Sequence, residues 1–329
     1  MRGQPLDLKN AKFNDIIGQE EVIHQIKSAL LTGRNIILVG PPGIGKTTIA
    51  KNIASLLPEI EVEQDFPFKK EKKIKLKGEQ RFVRVQGSPD LTSEDLLGDI
   101  DPIKAMKYGA SSIEAFTPGK IFKANKGVLF FDEINRCPEK LQNALLQVLE
   151  EGSATLGSYS IDFPADFIFI ATMNPEDYAA TEQLSSVFLD RFDLIYVGYP
   201  ESKELEKDII EKSGQKLEVE FPNKLLDMCV SFVRKLRSHK DIEQKPSVRA
   251  TLGLYERAQA NTILAERKKV EFKDIQDALI SVLKHRIKLK PSVRYLKDVS
   301  SFVKDEFENF LSSNPTYRQL SSSEEGEVG

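Results

Sequence analysis

Up to about residue 200 the chain alternates short apolar runs with longer stretches that carry a single apolar stripe. The runs are NIILVG, GVLFF, FIFIAT and DLIYVGYP, and RFVRVQ reads as a further strand. Short apolar segments bounded by turn residues predict buried strands. Residues 19–31, QEEVIHQIKSALL, put Val22, Ile23, Ile26, Ala29 and Leu30 on one helical face, with Gly33 closing the helix. TIAKNIASLL predicts a second amphipathic helix, stopped by Pro58. In EKLQNALLQVLEEG, Leu141, Ala144, Leu145, Val148 and Leu149 share a face between Pro138 and Gly152, residues suited to the start and end of a helix. Strands and helices in alternation predict a parallel sheet covered on both faces.

After Pro200 the rhythm changes. Residues 201–312 predict helices with almost no strand, most clearly LLDMCVSFVRKLR, RATLGLYERAQANTILAER and FKDIQDALISVLKHRI. The expected division is a core over 1–200, a small all-α domain over 201–312 and a disordered polar tail over 313–329. Two stretches interrupt the core. Residues 67–84 are lysine-rich and predict a projecting hairpin or loop. Residues 87–119 are expected to be irregular around a short helix at LTSEDLLG. SATLGSYSIDF predicts a hairpin around Gly157.

Composition narrows the function classes. A chain of 329 residues suits about two domains. Basic and acidic residues number 47 and 50, so no global field draws the chain to nucleic acid. No apolar run reaches the roughly 20 residues of a membrane span. The opening MRGQPLDLKN lacks the apolar core of a secretory signal. Cys137 and Cys229 stand apart and read as free thiols. His24, His239 and His285 are isolated, which argues against a histidine metal site or a His-based triad. A cytoplasmic protein is expected.

The chemistry sits at two strand ends. Gly40-Pro41-Pro42-Gly43-Ile44-Gly45-Lys46-Thr47 fits GxxxxGK[ST] between a strand and a helix. Glycines let backbone N–H groups face phosphate, and the helix start adds its positive dipole end. Lys46 supplies a point charge for the β and γ phosphates, and the Thr47 hydroxyl a ligand for Mg²⁺. Thr48 completes the nucleotide-binding set. This predicts a P-loop NTPase core that takes ATP and Mg²⁺. The second site is GVLFFDEINR. Alone, two acids after a strand read as a solvated terminus. Beside a phosphate cradle, Asp132 is expected to hold Mg²⁺ through water, and Glu133 to polarise the attacking water.

These residues resemble the AAA+ ATPases, and within them the helix-2-insert group that holds MoxR proteins and the magnesium chelatase I subunit. The resemblance spans about residues 13–290. FNDIIGQEEVIHQI is similar to the group's adenine-side segment, which implies Ile17 and Gly18 near the base. FTPGKIFKANKGVLFFDEINRCPEKLQNALLQVLEEG is similar to its Walker B block. FIFIATMNP resembles the sensor 1 strand and implies Asn174 as the sensor; by itself Asn174 reads as a turn residue before Pro175. LDRFD resembles the arginine-finger segment and implies that Arg191 meets a neighbouring subunit's γ-phosphate. A surface ion pair with Asp190 or Asp193 is the other reading of Arg191. PSVRATLGL resembles sensor 2 at the start of a lid helix and implies that Arg249 touches nucleotide, in cis or in trans. Arg136 reads equally as an interface or a salt-bridge residue. Residues 87–119 occupy the place of the insert that names the group.

The resemblance implies an ATP-driven motor, assembled as a homo-oligomeric ring of six, that remodels a protein partner or drives metal insertion. No metal-ion-adhesion domain is recognisable, so a partner bearing one would be another chain. The stretch with Lys69, Lys70, Lys72, Lys73, Lys75, Lys77, Arg81 and Arg84 is usually a solvated hairpin. Its alternative is a dock for nucleic acid, which would make the chain a helicase-like motor. No membrane association is expected.

Overall fold

The computed structural model describes residues 8–63, 73–109, 112–155, 162–175 and 184–322. Two compact units emerge: one takes the chain up to Pro41 and Gly45–Val197, the other Pro42–Ile44 and the chain from Gly198 on.

In the first unit, α1 (Glu20–Leu31) buries Ile26 and Ala29. Gly33, at φ 66°, turns the chain into β1 (Asn35–Val39). Helix α2 (Lys46–Ser55) buries Ile49, Ala50, Ile53 and Ala54. An antiparallel ribbon of β2 (Ile60–Glu63) and β3 (Lys73–Leu76) leads to β4 (Phe82–Gln86). Helix α3 (Ser93–Leu97) starts in a capping box: the Asp95 N–H donates to Thr92 Oγ1 (3.3 Å) and the Thr92 N–H to Asp95 Oδ2 (3.1 Å). Next come β5 (Gly98–Ile100), α4 (Pro102–Tyr108) and β6 (Phe116–Pro118), with β5 and β6 paired antiparallel. The unit continues through α5 (Lys120–Lys123), β7 (Val128–Asp132) and α6 (Glu139–Glu151). It ends with the paired β8 (Ser153–Thr155) and β9 (Asp162–Pro164), then β10 (Ile168–Met173), α7 (Ser186–Leu189) and β11 (Phe192–Tyr196).

Five strands form one parallel sheet in the order β11-β1-β10-β7-β4. Ile36, Ile37 and Leu38 of β1 and Val128 to Phe131 of β7 are fully buried, as strands covered on both faces require. Phe131, Phe169, Phe192 and Phe188 form a chain of rings with centroids 6.5, 5.6 and 4.7 Å apart, which locks β7, β10, β11 and α7 together.

The second unit is built from α8 (Lys203–Ser213), α9 (Asn223–Ser238), β12 (Ile242–Gln244), α10 (Val248–Leu264), α11 (Phe272–Leu283), β13 (Lys288–Leu289), α12 (Pro291–Arg294), α13 (Val299–Ser312) and α14 (Pro315–Ser322). Its core is apolar around Met228, Phe232, Leu254, Leu279, Leu283 and Val303, yet it also buries charge. Arg237 donates to both oxygens of Glu206 (2.5 and 2.6 Å), and Thr251 Oγ1 donates to Glu206 Oε1 (2.9 Å). Asp274 accepts from Thr262 Oγ1 (2.9 Å) and Arg267 Nη2 (2.6 Å).

The structure corrects several expectations. Residues 87–119 are not irregular around one helix. They also hold α4, capped by Asp101, whose Oδ1 accepts from the Ile103 and Lys104 N–H groups (2.9 and 3.2 Å). That helix buries no side chain, so it carries no apolar stripe to read. The helical region contains the β12–β13 pair. Helix α14 lies within the tail expected to be disordered: the Tyr317 hydroxyl donates to Asp227 (2.6 Å) and its ring stacks on Phe310 at 5.3 Å. In the basic stretch, Arg81 is not solvated; it is buried and donates to the Pro58 and Lys126 carbonyls. Gly157, Lys69, Lys70 and Lys72 lie outside the described residues. Among the described residues no helix is long and apolar enough to cross a membrane.

Candidate active site

Strand β1 delivers the candidate phosphate cradle. Its apolar run ends at Val39, and the turn that follows holds Gly43 at φ 76° and Gly45 at φ 92°, backbone that glycine adopts at little cost. Helix α2 starts at Lys46, so the first-turn N–H groups, including those of Thr47 and Thr48, have no partner within the helix. Lys46 Nζ donates to the carbonyls of Gly40 (2.5 Å) and Pro41 (2.8 Å). The Gly40 N–H donates to the Met173 carbonyl (3.1 Å), which ties the cradle to the end of β10. Pro41 and Ile44 are half-buried and Pro42 is exposed. Ahead of α1, Gly18 takes φ 66° beside half-buried Ile17, and Asn52 of α2 donates to Asp15 (3.3 Å), which anchors that segment.

Strand β7 delivers the acids. Asp132 ends the strand and Glu133 follows in left-handed backbone, φ 55° and ψ 52°. That conformation is uncommon for a residue with a side chain, and it turns the second carboxylate away from the strand direction. Thr172 of β10 stabilises the turn from inside. Its hydroxyl donates to Asp132 Oδ1 (2.6 Å) and accepts from the Glu133 N–H (2.9 Å). Gln86, at the end of β4 and in register with Asp132, donates to Glu133 Oε2 (3.1 Å). Arg84 donates to Asp132 Oδ2, and Arg136 Nη1 stands 3.4 Å from Glu133 Oε2. Gly87 closes the arrangement, because a Cβ there would lie 2.1 Å from the Glu133 carbonyl oxygen.

The donor set suits a hard divalent cation. Thr47 offers a hydroxyl and Asp132 a carboxylate, the oxygen ligands Mg²⁺ takes, and the Asp132 side chain stays 17% exposed. Asn174 is half-buried just past the end of β10, two residues beyond Thr172.

Arg191 is held between α7 and β11. Its Nε donates to Glu150 of α6 and its Nη1 to the Val187 carbonyl (2.7 Å). The other reading of Arg191 was an ion pair with Asp190 or Asp193; its carboxylate partner is Glu150 instead, and Asp193 faces Arg34 at 3.8 Å. Arg249 is the second residue of α10, in the second unit, and is exposed.

The sequence reading missed Thr172, Arg84, Gln86 and Gly87 as parts of this site. One signal was present. RFVRVQ alternates, with Val83 and Val85 on one face and Arg84 and Gln86 on the other, the pattern of a strand with one polar side.

Comparison with known proteins follows the same outline. The family described as magnesium chelatase, subunit ChlI, matches residues 12–183, and the AAA lid domain matches residues 234–303. An uncharacterised protein of Bacillus subtilis, YeaC, is 27% identical over 85% of each chain. The chaperone MoxR1 of Mycobacterium tuberculosis is 26% identical over 83% of this chain and 73% of its own. The chloroplastic magnesium-chelatase subunit ChlI of Glycine max is 28% identical over 85% of this chain and 75% of its own. Among solved structures, a mutant of Thermotoga maritima RuvB shares the fold, with TM-score 0.52 at 19% identity over 84% of this chain and 73% of its own.

Proposed function

The chain belongs to the magnesium chelatase subunit ChlI family of AAA+ ATPases, and from that premise we propose an ATP-hydrolysing motor that remodels a protein partner or drives metal insertion. One observation carries the reading. The cradle Gly40–Thr47 and the pair Asp132–Glu133 stand at the ends of β1 and β7, which β10 joins in a single sheet. Ligands of open parallel sheets collect at the carboxyl ends of the strands.

In this reading Lys46 and the cradle amides hold the phosphates, and Ile17 and Gly18 border the base. Thr47 and Asp132 would hold Mg²⁺, which would offset the charge of the β and γ phosphates. Glu133 accepts a proton from the attacking water, and the neutral Asn174 amide orients that water. Arg191 reaches the γ-phosphate of a neighbouring subunit in a six-membered homo-oligomeric ring, and Arg249 contacts nucleotide from the lid. The likeness to a MoxR1 chaperone favours a protein partner, and the likeness to ChlI favours metal insertion with a second, metal-ion-adhesion chain. The nucleic-acid reading loses support, because Arg81 is buried and Arg84 is paired with Asp132.

The test is a pair of variants. Glu133→Gln keeps nucleotide binding and lowers turnover by about 100-fold or more. A near-normal rate in that variant rejects Glu133 as the base. Arg191→Ala lowers the rate of the assembled ring by about 1,000-fold while nucleotide affinity survives. An unchanged rate there rejects the finger.

A further inference from the structure

Arg84 has no place in the scheme above, yet it is linked to both acids. It sits two residues before Gln86 on β4, so both side chains leave the same face of the strand. Its Nη2 donates to Asp132 Oδ2 and also lies 3.2 Å from Gln86 Oε1. Gln86 in turn donates through Nε2 to Glu133 Oε2 (3.1 Å). One guanidinium thus grips the metal-binding carboxylate directly and the catalytic carboxylate through a single amide.

The geometry has a chemical consequence. Asp132 Oδ1 already accepts from Thr172, which leaves Oδ2 as the oxygen most open to a cation, and Arg84 holds that oxygen. A guanidinium cannot give up its charge at physiological pH, so it cannot leave by deprotonation. It leaves only by competition with another cation. Its side chain is 52% exposed, so it has solvent to move into.

We infer that Arg84 is a positioning residue that serves as a resident counter-cation for Asp132, exchanged for Mg²⁺ when nucleotide loads. The inference rests on the ATPase reading. Arg84 lowers the apparent affinity for Mg²⁺, since the metal must displace it. Its departure also frees Gln86 Oε1, while Gln86 Nε2 and Arg136 still hold Glu133 Oε2.

The experiment is equilibrium binding of a non-hydrolysable ATP analogue to the full chain across a series of Mg²⁺ concentrations. It involves no turnover. Arg84→Gln removes the competitor, and the Mg²⁺ concentration for half-maximal analogue binding falls about 3- to 10-fold; the half-exposed pair keeps the effect modest. Arg84→Lys keeps the charge but not the fork, and its Mg²⁺ requirement stays near that of the unaltered chain. The two variants keep the melting temperature of the unaltered chain within a few degrees, since Arg84 is exposed. Identical Mg²⁺ dependence in the unaltered chain and Arg84→Gln overturns the inference and leaves the ATPase reading standing. Absence of analogue binding by the unaltered chain at saturating Mg²⁺ overturns both.

Discussion

The two units treat charge in opposite ways. The sheet unit buries one charge among its described residues, Arg81, and collects others at the open ends of its strands, where Asp132, Glu133, Arg84 and Gln86 remain partly or largely exposed. The helical unit draws charge inside. Glu206 is 0% exposed and Asp274 only 2%, each held by an arginine and a threonine. The charges at the strand ends stand where water reaches them. Charges that fix helices against one another are sealed and fully bonded. Burial therefore separates the carboxylates of the candidate site from the scaffolding ones, even though their hydrogen-bond lengths are alike.

The largest expected effect lies inside the helical unit. Arg237→Met leaves Glu206 buried with the Thr251 hydroxyl and, as its remaining cation, Arg234 at 3.5 Å, and lowers stability by about 3–5 kcal/mol. Chemical denaturation measures it. Replacing Glu206 with Leu in the same chain recovers most of the loss, because the unpaired charge is gone. If the single variant is as stable as the unaltered chain, sealed charge is not what holds these helices.

A middle effect is expected at the strand ends. Thr172→Val deprives Asp132 Oδ1 and the Glu133 N–H of their shared hydroxyl, which costs about 1–3 kcal/mol. Turnover falls further than stability does, by about 10-fold or more, with kcat affected before KM. A variant that melts earlier yet keeps its rate would make Thr172 another scaffold residue and erase the distinction between the units.

Smaller effects follow from single groups of the helical unit. Burial pushes the Cys229 thiol up to about 12, so iodoacetamide at pH 8 leaves it unmodified until the unit unfolds. Rapid labelling of the folded chain at Cys229 contradicts that sealed core. At the start of α13, the Ser301 hydroxyl (2.6 Å) and the Ser301 and Ser300 N–H groups hold the Asp298 carboxyl down at about 2. Because the folded value is depressed, this contribution is present above the usual carboxylate range and is lost as pH falls through about 2. Asp298→Ala removes the acid-sensitive step at the start of α13, and amide signals of Ser300 and Ser301 followed through an acid titration report it.

How much could be read from the chain follows from distance along it. The cradle was legible because its parts are consecutive, and each of its residue types is demanded by phosphate. The acids were legible once the cradle was known. Arg84 and Gln86 were not, since each meets its acid 47 or 48 residues away and only the β4–β7 pairing brings them together. The strand order β11-β1-β10-β7-β4 was equally invisible, because hydrophobic rhythm fixes a strand but not its neighbours. Helix α4 escaped for the reverse reason. Ile103 and Met106 are 80% and 91% exposed, so no buried stripe marks it, and only Asp101-Pro102 announced its start. Helix α14 hid in a polar stretch because few side chains, Tyr317 foremost, anchor it.

Strand β10 pairs with β1 on one side and β7 on the other, bonds the first residue of the cradle, and supplies the hydroxyl under the acids. It is a gauge block between two half-sites. The span from the end of β1 to the end of β7 is set by two strand spacings of roughly 4.8 Å each, a length no side-chain motion can alter. The separation of the two half-sites is thereby machined into the backbone, and mutations of surface side chains have little purchase on it.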